Sequence, residues 1–444
     1  MKKLITSSTS RMLRLGGLAG RVGASMAGNT LSNLFRDPEQ REKEQSATLM
    51  KNALRVKEAL GELKGVPMKI GQMLSLHEDL MPREVARVLQ TLQQKAPAVP
   101  FEDIRQMIRE ELGENFNRIA RIDPESLAAA SIGQVHRAVL TDGRDIVLKV
   151  QYPGIDEVIR SDMQNLKGIM KTVFFMFTRM DIDAVWREMK DRLTEELDYT
   201  LEARNMERMA ELLVGDDRVR IPRVIGELTT RHVLAMEKVI DISPDAATGG
   251  AYPQSLQDAW GTAIVAFILQ SLFRFRFLHA DPNLSNFAFR EDGGIVVYDF
   301  GCMKEVPEAL SRFYLRLVRA VLEHDYPAIP GILKEMGVHH ADGRPVPWEM
   351  VKDYADEIQD IVRPGKHYTF GVNGDVYRRL QELGQKYINE FMSMVFPRDL
   401  IFIDRTFVGH FGNLNRLKAS ADWRTLIVGH IRETFPEEVE DNHS

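Results

Sequence analysis

The chain has 444 residues, 44% apolar and 27% charged, enough to bury a sizeable core in two or three packed units. Its 58 basic and 64 acidic residues leave a net charge of −6, which argues against nucleic-acid binding by the surface as a whole. The single cysteine, Cys302, excludes an intrachain disulfide, and no run of about 18 apolar residues reads as a bilayer span.

Residues 1–35 form a basic lead. Lys2, Lys3, Arg11, Arg14 and Arg21 stand there with no acid, among Gly, Ser and Ala. Cationic charge beside Leu, Met and Val suits contact with an anionic membrane surface; the plainer alternative is a frayed tail. Residues 36–100 read as helices, with apolar residues at helical spacing interrupted by Gly65 and Pro67.

Residues 101–240 change character. "FEDIRQMIREEL" predicts a helix. "HRAVLTDGRDIVLKV" predicts a hairpin turning at Thr141-Asp142-Gly143. A long helical stretch is expected from about Ile155 to Leu213. Then "RVIGEL" and "RHVLAMEKV" read as a second pair of strands. Residues 241–435 are mostly helical in pattern, apart from a short hairpin in "FAFREDGGIVVYDFG". The apolar "AIVAFILQSLF" suits a buried helix, and residues 436–444 are a loose acidic tail. A small β-rich lobe followed by a larger helical one is an α+β layout, that of the protein-kinase fold, whose inter-lobe cleft can enclose a nucleotide.

"FLHADPNLSNFAFREDGGIVVYDFG" carries the chemistry. Asp281, Asn286 five residues on, and Asp299 across a hairpin suit phosphoryl transfer, which needs metal held against phosphates and a carboxylate near the nucleophile. Asp281 is expected to face the nucleophile, with Asn286 and Asp299 as hard oxygen ligands for Mg2+ beside ATP. Each piece alone is also an ordinary loop or turn; the joint spacing is what singles it out.

Lys149, near the end of "DIVLKV", could reach phosphates or simply be a solvated strand end. Its helix-borne acidic partner is sought in "EELDYTLEARN", where Asp198 and Glu202 are four apart and expected on one helix face, with Glu196 pointing elsewhere. The glycine-rich loop of ordinary kinases is missing. "SLAAASIGQV" puts Ala128, Ala129 and Ala130 there, which cannot take positive φ cheaply, so an ordinary protein kinase is not expected.

Four motifs in order make the chain resemble the UbiB family of atypical kinase-like proteins, which includes the mitochondrial ADCK proteins. They are "KIGQ" at Lys69–Gln72, "AAAS" at Ala128–Ser131, "ELD" at Glu196–Asp198 with Glu202 beyond, and "HADPNLSNF" with "DFG". The resemblance runs from about Arg11 to about Phe435. It implies an N-terminal helical extension carrying the Lys-x-Gly-Gln motif, ahead of the two lobes. Lys149 then resembles the phosphate-binding lysine and Glu202 its partner. Ala128, Ala129, Ala130 and Ser131 match the loop over the nucleotide, and Glu237, Lys238 and Val239 the adenine-binding segment. Asp281 matches the catalytic aspartate, and Asn286 and Asp299 the metal ligands. Lys69, counted with Asp281 as catalytic, and Gln72 are expected to reach Glu196 or Asp198 and partly close the site; the alternative is a polar stripe on an amphipathic helix.

The resemblance implies an ATPase or a small-molecule or lipid kinase supporting ubiquinone synthesis, with an isoprenoid lipid or quinone precursor and quinone-biosynthesis proteins as partners. Residence would be cytoplasmic or peripheral at the inner face of a bacterial membrane. The competing class is a non-catalytic, nucleotide-switched scaffold or lipid-handling protein. Bacterial members tied to ubiquinone synthesis often carry C-terminal membrane helices, which are not expected here; the chain also reads Asn-Leu-Ser between Pro282 and Asn286, where many bacterial members resemble His-Pro-Gly, and "LQQKAP" where an acidic residue and double proline are expected.

Overall fold

The computed structural model describes residues 99–129, 132–157, 159, 190 and 193–436, without the side chains of residues 389, 392, 398 and 401. Residues 1–98, Ala130, Ser131 and the acidic tail from 437 lie outside the described residues. The chain divides into two compact units. The first holds the described residues up to Thr200 together with Ile225–Met236; the second holds Leu201–Val224 and everything from Glu237.

In the first unit, helix α1 (Phe101–Leu112) starts after Pro100 and stops at Gly113, whose φ of 53° a side chain would resist. Ile104, Ile108 and Leu112 recur every fourth residue and are buried. The helix is tied by Phe101, whose ring lies 5.6 Å from that of buried His136, and by Glu111, which accepts from Thr230 Oγ1 at 2.8 Å.

The expected hairpin forms as β2 (Gly133–Leu140) and β3 (Asp145–Gln151), antiparallel from Val139↔Asp145 to Gly133↔Gln151. Alternation along β3 buries Ile146, Leu148 and Val150. The sheet order is β1-β2-β3-β5, with β1 spanning Ile119–Ala129 and β5 spanning Val233–Glu237. β1 was not expected. It is an edge strand, largely exposed, bulged around Pro124, and so lacks the alternation that marks a half-buried strand.

"RVIGEL" is not a strand. Pro222 has no N–H for a ladder, and Gly226–Leu228 winds into a 3-10 turn. Two strand-like contacts survive around Val224, Ile225 N–H to Ala235 O at 2.8 Å and Glu237 N–H to Arg223 O at 2.9 Å. The expected long helix is also corrected: Leu197 is in a turn, and α2 (Tyr199–Leu212) starts afresh after Asp198.

The second unit is built on α3 (Gln254–Leu269), continued by a wider turn over Gln270–Arg274. Trp260, Ile264 and Phe267 are fully buried, and Trp260 Nε1 donates to Arg290 O at 2.8 Å. β4 (Val219–Arg220) pairs parallel with β8 (Ile295–Val297), which pairs antiparallel with β7 (Phe287–Phe289), giving the expected hairpin. β6 (Phe277–His279) pairs antiparallel with β9 (Met303–Glu305). Its longer helices after β9 are α4 (Glu308–Leu322), α5 (Trp348–Ile361), α6 (Val376–Lys386), α7 (Arg398–Leu417) and α8 (Trp423–Thr434). The chain passes from Asp-Phe-Gly through β9 straight into α4.

Among the described residues one helix, Gln254–Arg274, is long and apolar enough to cross a membrane, and 72% of its apolar window is buried inside the unit. At Gly261 an added Cβ would lie 2.3 Å from Ala419 Cβ and 3.3 Å from Leu414 Cδ2. Gly261→Ala should therefore overpack this contact and cost about 1–3 kcal/mol. The measurement is the urea midpoint; an unchanged midpoint would mean that α3 is not held this close to Ala419.

Candidate active site

The site residues of the second unit grow out of β6. His279, at its end, is buried, with ring centroids of Phe287 and Phe300 both 5.5 Å away and Phe267 6.0 Å away. Its Nε2 lies 2.6 Å from Asp299 O. A carbonyl can only accept, so Nε2 carries the proton. Ala280 N–H donates to Cys302 O at 2.9 Å, extending the β6–β9 pairing past His279.

Asp281 follows. Its Oδ1 accepts from Asn283 N–H at 3.2 Å, and Asn283 Oδ1 accepts in turn from Ser285 N–H at 3.1 Å. These two side-chain turns shape the Asn-Leu-Ser segment, which winds into a 3-10 turn over Leu284–Asn286 with Leu284 buried. Asn286 Nδ2 is 3.5 Å from Asp281 O, and Asn286 O accepts from Tyr298 N–H at 2.9 Å. The β7–β8 hairpin thus returns the chain beside Asn286 and delivers Asp299. Asp299 Oδ1 accepts from Gly301 N–H at 3.0 Å. Asp281, Asn286 and Asp299 are all half-buried and belong to one connected network.

Behind them, Phe300 is held from two sides by α2. Buried Glu202 accepts from Phe300 N–H at 3.4 Å, and Asn205 Nδ2 donates to Phe300 O at 3.0 Å. Glu202 is thereby a support of the Asp-Phe-Gly turn. Asp198 does not share its helix face as expected. It caps α2, accepting from Thr200 N–H at 3.0 Å and Thr200 Oγ1 at 2.6 Å. A short acidic side chain just ahead of a helix satisfies an N–H that has no partner within it. Glu196 ends the preceding helical turn.

In the first unit, Lys149 lies opposite Val135 on β3, with Nζ 5.1 Å from the Tyr199 ring centroid. Ala128 and Ala129 pair with Val135 and Gln134 at the end of β1, so they are strand residues and not loop. Ala130, Ser131, Lys69 and Gln72 lie outside the described residues. In the second unit, Glu237 accepts from Arg220 Nη2 at 2.6 Å, and its N–H is occupied by Arg223 O at 2.9 Å. Lys238 and Val239 follow, half-buried and outside regular structure. Tyr298, beside Asp299, donates its hydroxyl to Asp241; burial first, and then this bond, push the phenol up and keep it protonated.

The sequence did not reveal the contacts that α7 makes with this loop. Arg405 Nη2 donates to Ala280 O and Asn413 Nδ2 to Pro282 O, both at 2.7 Å. Between them Gly409 lies against the Pro282 ring. The signal was a stripe at i, i+4 and i+8, but nothing in it names its target.

No group of three or more His, Cys, Asp or Glu among the described residues could hold a metal by itself. Asn286 and Asp299 together suit magnesium, which takes one or two protein oxygens and fills its remaining positions with phosphate and water. With Nδ2 turned toward Asp281 O, Asn286 would offer its amide oxygen to such an ion, and Asp299 would offer a carboxylate oxygen.

Residues 91–332 match the model of the ABC1 atypical kinase-like domain. The chain belongs to that family. It is 32% identical over 328 residues to the mitochondrial atypical kinase COQ8B of Rattus norvegicus, covering 73% of this chain and 62% of that one. It spans 52% of COQ8B from Danio rerio. It is 30% identical over 460 residues to the probable serine/threonine-protein kinase abkA of Dictyostelium discoideum, covering 98% of this chain and 80% of that one. Among solved structures, the complex of Rv3197 with erythromycin from Mycobacterium tuberculosis has a TM-score of 0.62 at 24% identity, covering 88% of this chain and 98% of that one. The UbiB resemblance and the α+β protein-kinase-like fold are thereby borne out.

His410, on α7, is fully buried with its ring edge-on to Phe287 at 5.5 Å; burial, and then nearby His279, hold its pKa down at about 3. The folded ring stays neutral while the unfolded one protonates near the ordinary 6.5. The unfolded state then binds more protons between these values, so stability is full above pH 6.5 and falls as pH drops toward 3. This group should cost about 2 kcal/mol between pH 7 and pH 5, and His410→Gln should flatten that part of the profile. Urea unfolding at both pH values checks it; equal slopes in the two proteins would count against a neutral His410.

Proposed function

We propose that this protein is an atypical kinase-like enzyme that binds ATP with Mg2+ and hydrolyses it or transfers its terminal phosphoryl group to a small molecule or lipid. What carries the reading is the pair of backbone ties, Asn286 O to Tyr298 N–H and His279 to Asp299 O, that keep Asp281, Asn286 and Asp299 in one rigid network at kinase spacing. The Asp281 carboxylate orients a hydroxyl or water and takes up its proton. Asn286 and Asp299 hold the metal, which when bound neutralises charge on the phosphates. Lys149 serves the α- and β-phosphates. Glu202 holds Phe300 and with it the direction of Asp299. Since Glu237 N–H is occupied, the backbone of Lys238 and Val239 is left to meet the base.

Ubiquinone or a related isoprenoid lipid is the pathway this family membership supports best. The acceptor would be an isoprenoid lipid or quinone precursor, residues 1–35 the contact with an anionic membrane, and quinone-biosynthesis proteins the partners. Lys69, Gln72 and Ser131 keep the roles proposed for them from the family's motifs. The second reading, a nucleotide-switched scaffold, draws on Ala128 and Ala129 being strand-paired where kinases carry mobile glycines.

The test is phosphate release from ATP by the full chain with cardiolipin-containing vesicles. Asp281→Asn and Asp299→Asn should each lower magnesium-dependent turnover by about 100-fold or more. Asp281→Asn should leave nucleotide binding intact, whereas Asp299→Asn should lose the magnesium dependence of binding. Tight ATP binding with no turnover in the wild type would favour the scaffold.

A further inference from the structure

α7 touches the catalytic loop at three points that are spaced four residues apart and so lie along one helix face. Arg405 donates to Ala280 O at 2.7 Å, a charge-assisted bond, and Asn413 donates to Pro282 O at 2.7 Å. At Gly409, between them, a Cβ would sit 2.3 Å from Pro282 Cγ and 2.6 Å from Pro282 Cβ. No other residue fits there without moving the helix or the loop.

The two carbonyls that α7 holds are those on either side of Asp281. The held peptides, Ala280–Asp281 and Pro282–Asn283, bracket φ and ψ of both Asp281 and Pro282, and because the proline ring already restricts one of these four torsions the clamp narrows the rest. The Asn283 N–H bond to Oδ1 then selects the side-chain direction. Asn413 is itself oriented: it is buried, and its amide nitrogen also lies 3.3 Å from His410 Nδ1. A neutral imidazole accepts there, so the amide presents its second hydrogen to Pro282 O and cannot flip without losing both contacts.

We propose that Arg405, Gly409 and Asn413 form a clamp that positions Asp281 for reaction. They are positioning residues that act on the loop's backbone. This rests on reading Asp281 as the group that faces the nucleophile. A misplacement of about 1 Å at such a group is enough to cost about 100-fold in rate.

Asn413→Asp tests the clamp: it keeps the shape but replaces the donor with an acceptor facing Pro282 O. Hydrogen–deuterium exchange over residues 280–290 reports the loop without requiring turnover. The variant should exchange faster there with protection elsewhere in the second unit unchanged. It should lose kcat by about tenfold or more while ATP affinity and KM stay within about threefold. Arg405→Lys should retain most of the rate and Arg405→Met should not. Should Asn413→Asp fail to fold, the Arg405 pair gives the same readings. Wild-type exchange in the loop, or a loss of protection spread evenly over the unit, would overturn the clamp. An absence of turnover in the wild type would defeat the proposed function, while the exchange result would still decide the clamp.

Discussion

The bond from His279 to Asp299 O is the constraint on which the second unit's chemistry depends. It is made by a ring enclosed by three phenylalanines, and among the described residues Nδ1 has no partner. A buried imidazole that lost this bond would be left unsatisfied, at a cost of about 1–3 kcal/mol. β6 and the turn of Asp299 therefore keep a fixed spacing. The β6–β9 pairing, the approach of Ala280 to Cys302, and Glu202 and Asn205 on Phe300 reinforce it from different directions. Phe287 has an imidazole edge on each of two contacts, His279 and His410, so the aromatic core and the polar network are one structure.

The candidate site residues that the sequence grouped and the structure brings together are those close to one another in sequence. Asp281, Asn286 and Asp299 lie within 19 residues, and the hairpin between them is marked by apolar strands around Asp292-Gly293-Gly294. Asp198 was misplaced because an acid ahead of a helix looks like helix until its capping bond to Thr200 is seen. β1 was missed because an edge strand facing solvent needs no alternation, and "RVIGEL" was over-read because its apolar residues outweighed Pro222. The α7 contacts were illegible for another reason. Arg405 and Asn413 meet residues more than 120 positions earlier, and a backbone carbonyl as partner leaves no trace in side-chain identity.

Family membership and geometry bear on different questions. The match over residues 91–332 gives the fold class and the kinase-like character, yet it stops before α7. The supports of Asp281 that come from α7 therefore lie beyond the matched segment. They are visible only because the helix folds back on a loop that the matched segment contains.

The segment Gln254–Arg274 has a consequence for how the chain comes to be folded. It is 21 residues long and contains an 18-residue window of mean hydropathy 1.2, the length and composition of a membrane span, although 72% of that window is buried. The residues that cover Gly261, Ala419 and Leu414, are synthesised more than 150 positions later. Until α7 and α8 exist, the segment is exposed apolar surface beside any bilayer or chaperone present during synthesis. A chain cut within α7 ahead of Leu414 would lack Leu414 and Ala419 and so leave uncovered the apolar face of α3 around Gly261.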